Sequence, residues 1–436
     1  MSLVTSFTQL VQSLSWAMST PVFDRFLVVL TGWIFAPRRT LTGMLVAAGV
    51  AGQQHHAAFH RVFSAARWSL DQLGLLVFRL LRTLLPEGTV RLALDDTEAH
   101  KRGRKVYGVG MHRDPQLSTS HKKVLTWGHN WVLLCVIVRL PCCPNRVFSL
   151  PILVRLYLNH AAAERARRAY RTRPQLAVEM LELLCGAHPE LHFHAVVDSA
   201  YGGESVLGHL PINCELTSRL PLNARLYDAP PPRKPGTRGR PPRRGPRLPT
   251  PAQMLQPRTR RVTMAIYGRK QKARIAEAVA RWYGVPERPL KIVAVEPLSG
   301  GRPVQAFYST CIEEIGEQIL QDYSSRWSIE ETIFGSKSFL GFEEPQGWSR
   351  LAVLRTAPIA LLLYSLIVLW FARVGHRVYR PLVRPWYPQK EVPSFADMLR
   401  TLRRESLLAT ISARVGAVDL PQNLIECLCS AANAPP

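Results

Sequence analysis

Tyr323, Arg326, Glu330 and Lys337 follow one another at intervals of three, four and seven residues in the stretch Tyr323-Ser-Ser-Arg326-Trp-Ser-Ile-Glu330-Glu331-Thr-Ile-Phe-Gly-Ser-Lys337. On a helix of 3.6 residues per turn these offsets return to one face. Glu330 would then have a guanidinium one turn before it and an ammonium two turns after it. Carboxylate oxygens are hard ligands suited to a divalent cation, and Arg and Lys suit phosphate oxygens. A solvated helix face with an i,i+4 Arg–Glu pair, worth about 0.3–0.5 kcal/mol, would show the same spacing. Two further carboxylates bear on the choice. Asp95 follows the alternating run Val90–Leu94, and Asp198 follows the apolar run Phe193–Val197. Both runs are expected strands, and α/β folds build sites at the carboxyl ends of strands.

The elements that must position these groups are read in chain order. Residues 1–88 are expected to be all-helical, with apolar recurrence through Phe23–Phe35, Leu41–Val50 and Leu70–Leu85 and a capping-box spacing at Ser69 and Gln72. The basic, aromatic segment from His55 to Phe63 makes this region a candidate DNA-binding module. His56 and His60 have i,i+4 ligand spacing, but no acidic partner lies nearby. After the strand ending at Asp95-Asp96-Thr97, Trp131–Leu140 and Phe148–Leu158 read as two more strands, an antiparallel start to a sheet. Ala161–Ala187 reads as one helix, Phe193–Val197 and Asn213–Leu220 as strands, and Ile312–Leu340 as the helix carrying Glu330.

Composition adds a second constraint. The 436 residues are 47% hydrophobic and 20% charged, enough for two or three domains with a sizeable core. Lys and Arg number 56 against 31 Asp and Glu, a net charge of +25, so the partner is expected to be polyanionic. Eight scattered cysteines form no C-x2-C pair, which argues against a zinc ribbon. No basic cluster precedes an apolar core at the N-terminus, so a reduced, cytosolic protein is expected. The uncharged run Thr356–Ala372 is short of the roughly 20 residues needed to span a bilayer and contains Pro358. It is expected to be a buried core helix, with no membrane partner.

The spacing Y-x2-R-x3-E-x6-K resembles the signature of one group of DDE-type insertion-sequence transposases. Asp95-Asp96-Thr97 with the basic turn Lys101-Arg-Gly resembles the first motif of that family, and Asp198-Ser-Ala-Tyr-Gly-Gly the second. Trp127-Gly-His-Asn-Trp131 and Tyr364-Ser365-Leu366 are further similar phrases, and the likeness covers most of residues 40–410. The resemblance implies an α/β, RNase H-like catalytic core in two parts, residues 89–220 and 306–375. Between them lies a basic Pro/Arg arm with a β-rich insertion (221–305), and a C-terminal helical region (376–436) follows. It implies Asp95, Asp198 and Glu330 as catalytic metal ligands, the family pattern Asp-x-Thr selecting Asp95 over Asp96. It also implies Mg²⁺, two ions replaceable by Mn²⁺, and double-stranded DNA bound as a dimer in the bacterial cytoplasm, with the nucleoid.

The chemistry fits three carboxylates. In-line displacement at a phosphodiester is assisted by two cations roughly 4 Å apart, one on the attacking and one on the leaving oxygen. Clustered carboxylates without a counter-charge repel and raise one another's pKa. Tyr323, Arg326 and Lys337 are expected to hold DNA. The rival reading is a non-catalytic DNA-binding protein derived from a transposase, which a metal-dependent cleavage assay separates. A second rival, a basic membrane-surface protein, rests on Thr356–Ala372.

Ala229–Pro251 is dense in Pro, Arg and Gly and has no acidic residue. It is expected to be an extended arm without a hydrophobic face. Arg238-Gly239-Arg240-Pro241 resembles the centre of an AT-hook, and Arg238, Arg240, Arg243 and Arg244 are its candidate DNA contacts.

Overall fold

The computed structural model describes residues 2–415, apart from 115–116, 120, 233–241, 257–258, 267–268, 299–300 and, near 390, 382–384, 386–387, 389 and 391. Five α-helices come first: α1 (Thr5–Gln12), α2 (Thr20–Phe35), α3 (Leu41–Ala48), α4 (Ala57–Ser64) and α5 (Leu70–Leu81). The Thr40 hydroxyl caps α3 at Gly43 N, and the Ser69 hydroxyl caps α5 at Gln72 N. A Cβ at Gly32 would lie 1.9 Å from Met44 O, so the α2–α3 crossing needs glycine there.

The strands β1 (Val90–His100), β2 (Gly110–Arg113), β3 (Leu125–Leu140) and β4 (Cys143–Tyr157) follow. Next come α6 (His160–Arg165), α7 (Arg173–Ala187), β5 (Phe193–Val197), α8 (Glu204–Leu207) and β6 (Cys214–Leu220). The expected single helix over Ala161–Ala187 is therefore two. Arg167 takes a left-handed φ of 51°, which stops α6, and Thr172 opens α7 with a reciprocal capping box to Gln175. The short β7 (Leu226–Tyr227) and β8 (Arg247–Leu248) lead to α9 (Pro251–Met254), β9 (Arg260–Ile266), β10 (Arg269–Trp282), β11 (Val285–Pro297) and β12 (Gln305–Ser309).

These strands form one mixed sheet in the order β2-β3-β1-β5-β6-β12-β11-β10-β7-β8. β4 shares the outer edge of β3 with β2, and β9 shares that of β10 with β7. β1, β5 and β6 are parallel; β1 and β3 are antiparallel. The β-rich segment 260–297 thus extends the main sheet through β12.

The remaining helices are α10 (Gly316–Ser325), α11 (Ser328–Leu340), α12 (Arg350–Trp370), the short α13 (His376–Val378) after a π-helical turn, and α14 (Phe395–Val415). The expected continuous helix Ile312–Leu340 begins at Gly316 and breaks at Arg326-Trp327. There the amides of Arg326, Trp327, Ile329 and Glu330 bond to carbonyls three residues back, tightening the turn. α12 is the axis of the core. Through α13 it is long and apolar enough to cross a bilayer, but 83% of its most apolar stretch is buried inside the protein. A helix apolar on all sides needs such burial. It packs on β4, α1, α4, α5, α11 and α14, so the N-terminal helices and the sheet share one hydrophobic core. Arg355 of α12 is buried, donates to the carbonyls of Phe63, Ala66 and Trp68, and has its pKa lowered by that burial.

Candidate active site

The parallel pairing of β1 with β5 ends at Leu94 opposite Val197. Asp95 and Asp198 are the next residue on each strand, so they leave the same end of the parallel ladder. Asp95 does not end its strand, as the sequence suggested. β1 runs on to His100 because β3 stays paired with it as far as Gly128. What ends at Asp95 is the partnership with β5.

Asp198 opens a tightly held turn. Its Oδ1 accepts from Ala200 N at 2.9 Å, and its carbonyl accepts from Ser218 Oγ at 2.9 Å. Tyr308 donates to Gly202 O at 2.6 Å. A Cβ on Gly202 would sit 2.3 Å from Ser218 Oγ, which explains the glycine after Tyr201.

Glu330 is positioned by the docking of α11 on β4 and β1. Thr332 donates to Ser149 O at 2.6 Å, and Ser328 and Ser149 share a hydroxyl bond of 2.6 Å. α10 is tied to β1 by Arg91, 2.9 Å from both Glu314 and Asp322.

Arg326, at the break between α10 and α11, is the centre of the arrangement. Its Nη1 donates to Asp95 Oδ2 at 2.7 Å, and its side chain is only 12% exposed. Burial disfavours its charge, but the fields of Asp95, Tyr323, Asp198 and Glu330 prevail and raise its pKa. Asp95 is pushed up to about 7, chiefly by burial and also by Asp198 and Asp96, while Arg326 pulls it down. Burial raises Glu330 as well, against the same guanidinium. A cation therefore already stands among the three carboxylates. Their oxygens are the hard ligands a divalent cation takes, with the guanidinium of Arg326 now standing among them.

Asp96 faces the opposite way, as successive strand residues must. Its carboxylate accepts from Asn130 Nδ2 (2.7 Å), Arg173 Nη1 (2.7 Å) and the Tyr201 hydroxyl (2.8 Å). Three donors therefore engage it on the face away from Arg326. These three partners were not singled out from sequence, although Asn130 and Tyr201 lie within the phrases Trp127-Gly-His-Asn and Asp198-Ser-Ala-Tyr. Glu98, His100 and Asp114 were also passed over; among the described residues they are the group whose three ligand atoms lie within 4.8 Å of one another, close enough to hold a cation. The alternation Asp96, Glu98, His100 along β1 is the signal that could have found it.

The other candidates fall differently. Tyr323 packs on Phe307, ring centroids 4.6 Å apart, with the Arg326 guanidinium 5.6 Å from its own ring; burial raises its pKa. Lys337 does not share the contacts of the carboxylates. It donates to Glu98 O at 2.5 Å and pairs with Glu343 at 3.1 Å, tying the end of α11 to β1. The break at Arg326-Trp327 removes the single continuous face on which the four residues were expected.

Arg238 and Arg240 lie outside the described residues. The arm expected over Ala229–Pro251 is folded at its far end: β8 pairs with β7, and Gly245 N bonds to Asp228 O. Backbone pairing supplies what an apolar face would not. Arg244 stacks 3.9 Å from the Tyr283 ring centroid and 5.5 Å from that of Tyr227, while Arg243 remains exposed, 3.9 Å from Glu287.

A family model for the DDE superfamily endonucleases matches residues 20–281, well over half of the chain. The protein belongs to this family. Asp95 and Asp198 fall within the matched span, and Glu330 lies beyond it. Membership implies a nuclease that uses a divalent metal on DNA. No curated protein matches the sequence.

Proposed function

We propose that the protein is a DDE transposase that cuts the ends of a bacterial insertion sequence and joins them to target DNA. The observation that carries this is the convergence of Asp95 and Asp198, at the end of one parallel ladder, on the Arg326 that lies one turn before Glu330. In this reading β1–β6 with α10–α12 are an RNase H-like core, and β7–β11 an insertion into it. Asp95, Asp198 and Glu330 would hold two Mg²⁺ ions, with Mn²⁺ as a substitute. The bound ions supply an activated oxygen nucleophile and charge stabilisation at the leaving oxygen.

The chain's own residues do the rest. Asp95 must give up its proton and its bond to Arg326. Arg326, released, is a planar fork suited to a phosphate of the scissile strand. Tyr323 borders that phosphate. The partner is double-stranded DNA, held as a dimer so that two ends are cut together, in the cytoplasm with the nucleoid.

The test is cleavage of a duplex carrying the element's ends, with Mg²⁺ or Mn²⁺, by the wild type, Asp198→Asn and Glu330→Gln. Metal-dependent cutting lost in both variants, with DNA binding retained, is the expected result. Cutting that survives both substitutions removes these residues from the mechanism.

A further inference from the structure

We infer that the loop joining α6 to α7, residues 166–172 with Arg165 and Arg173 at its rims, is a docking surface for the phosphate backbone of double-stranded DNA. The inference rests on the reading of the protein as a DNA nuclease and names a surface that reading did not use.

The stretch His160–Gln175 contains five arginines (Arg165, Arg167, Arg168, Arg171 and Arg173) and one acid, Glu164. All five arginines are exposed. Read as continuous helix, they would be spread around its circumference. The structure instead ends α6 in a six-residue turn: Arg168 N bonds to Ala163 O and Arg167 N to Glu164 O. This termination puts Arg167 in the left-handed region, where glycine is the residue of least strain. It is the one non-glycine residue with positive φ among those described. An arginine kept where glycine would be easier points to a task for its side chain.

The loop is not loose. Tyr170 stacks on His160 with ring centroids 3.6 Å apart, and its hydroxyl lies 3.2 Å from that of Tyr157. Arg165 donates to Val109 O at 2.5 Å, which anchors the loop beside β2. Arg171 is paired with Glu179. Arg167 and Arg168 have no acidic partner among the described residues, so their charge is available.

The position relative to the site is set by Arg173. It bonds Asp96 at 2.7 Å, next in the chain to Asp95, and lies over the Tyr157 ring at 5.6 Å. Arg173 thereby ties the loop to the α7 face of β1, opposite the face toward which Asp95 turns, so the loop would be a phosphate contact separate from the carboxylates. Fixed cations on a rigid loop bind phosphates in any sequence by releasing counterions, and carry no base readout of their own.

Fluorescence anisotropy with a duplex of arbitrary sequence tests this across a salt series, for the wild type, Arg167→Gly/Arg168→Gln and Arg171→Gln. Glycine at 167 suits the backbone, so the double variant should fold, which its melting temperature checks. The slope of log K against log[salt] should become shallower by about 0.9 for each phosphate no longer neutralised, so by up to about 1.8 in the double variant. Arg171→Gln should change it little, because that charge is already paired. An unchanged slope in a folded double variant that still binds DNA overturns the docking surface and leaves the nuclease reading intact. A wild type that binds DNA but never cuts it overturns the nuclease reading and leaves the slope to decide the surface. A wild type that does not bind DNA overturns both.

Discussion

Asp95 and Asp96 are chain neighbours with opposite surroundings. Asp95 looks toward α10 and α11, has Arg326 as its one charged partner at bonding distance, and is pushed up to about 7 chiefly by burial. Asp96 looks toward α7 and the turn after β5, where three donors fill its oxygens. One side of the strand holds a carboxylate whose single ion pair can be exchanged; the other holds one that is spent. The comparison teaches that in β1 a shift of one residue exchanges a single ion pair for a three-donor network. It also ties the two together. Tyr201, which bonds Asp96, lies three residues after Asp198 in the same turn. The structural carboxylate thereby fixes where one proposed metal ligand sits.

The sharpest way to break the contrast is Asp95→Asn. We expect cleavage to fall to background with folding and DNA binding kept, because an amide is a far weaker metal ligand. Asp96→Asn should behave differently. Asparagine offers one acceptor oxygen where three donors converge, so chemical denaturation should show a loss of about 1–3 kcal/mol. Metal affinity, followed by Mn²⁺ binding, should drop about 10-fold, as for a residue supporting a ligand from behind. If Asp96→Asn were inactive at full stability while Asp95→Asn still cut, the two roles would have to be exchanged.

Tyr201→Phe refines the picture by removing only the hydroxyl. A loss of about 1 kcal/mol in stability, and a smaller fall in Mn²⁺ affinity than Asp96→Asn, would show that the turn carries Asp198 through this bond.

Acidity offers a third probe. Asp95 must be deprotonated to take a cation, and its folded pKa lies near 7. Mn²⁺ affinity should therefore rise between pH 6 and pH 8 and level off above. A flat profile over that range would mean that Asp95 is not the titrating ligand.

Asp397, a buried carboxylate far from β1 in the chain, calibrates these effects. Burial alone would raise it, but Lys390 and Ser394 hold it down to about 2. Its folded pKa is below the unfolded value, so its contribution is complete at neutral pH and is lost as pH falls from about 4 toward 2. Asp397→Asn should cost roughly 2 kcal/mol at pH 7, flatten acid unfolding in that window and leave metal affinity unchanged.

Local rules made some of this legible in the sequence. Strand periodicity and the apolar runs placed β1 and β5 and the carboxylates after them. The capping spacing at Ser69 and Gln72 set the start of α5, where the Ser69 hydroxyl accepts from Gln72 N. The apolar, uncharged run at Thr356–Ala372 required burial, and α12 is buried. Each of these depends on neighbours within a turn or two of chain.

What depends on contacts across the chain could not be read there. The break at Arg326-Trp327 lies inside a good helical pattern, and Arg326 meets Asp95 across 231 residues. Lys337 was drawn to the backbone of β1 rather than to the carboxylates, because Glu98 O and Glu343 were within its reach. Successive strand residues turn to opposite faces, but only the packing of α7 on one face and α11 on the other decided that Asp96 meets Asn130, Arg173 and Tyr201 while Asp95 meets Arg326.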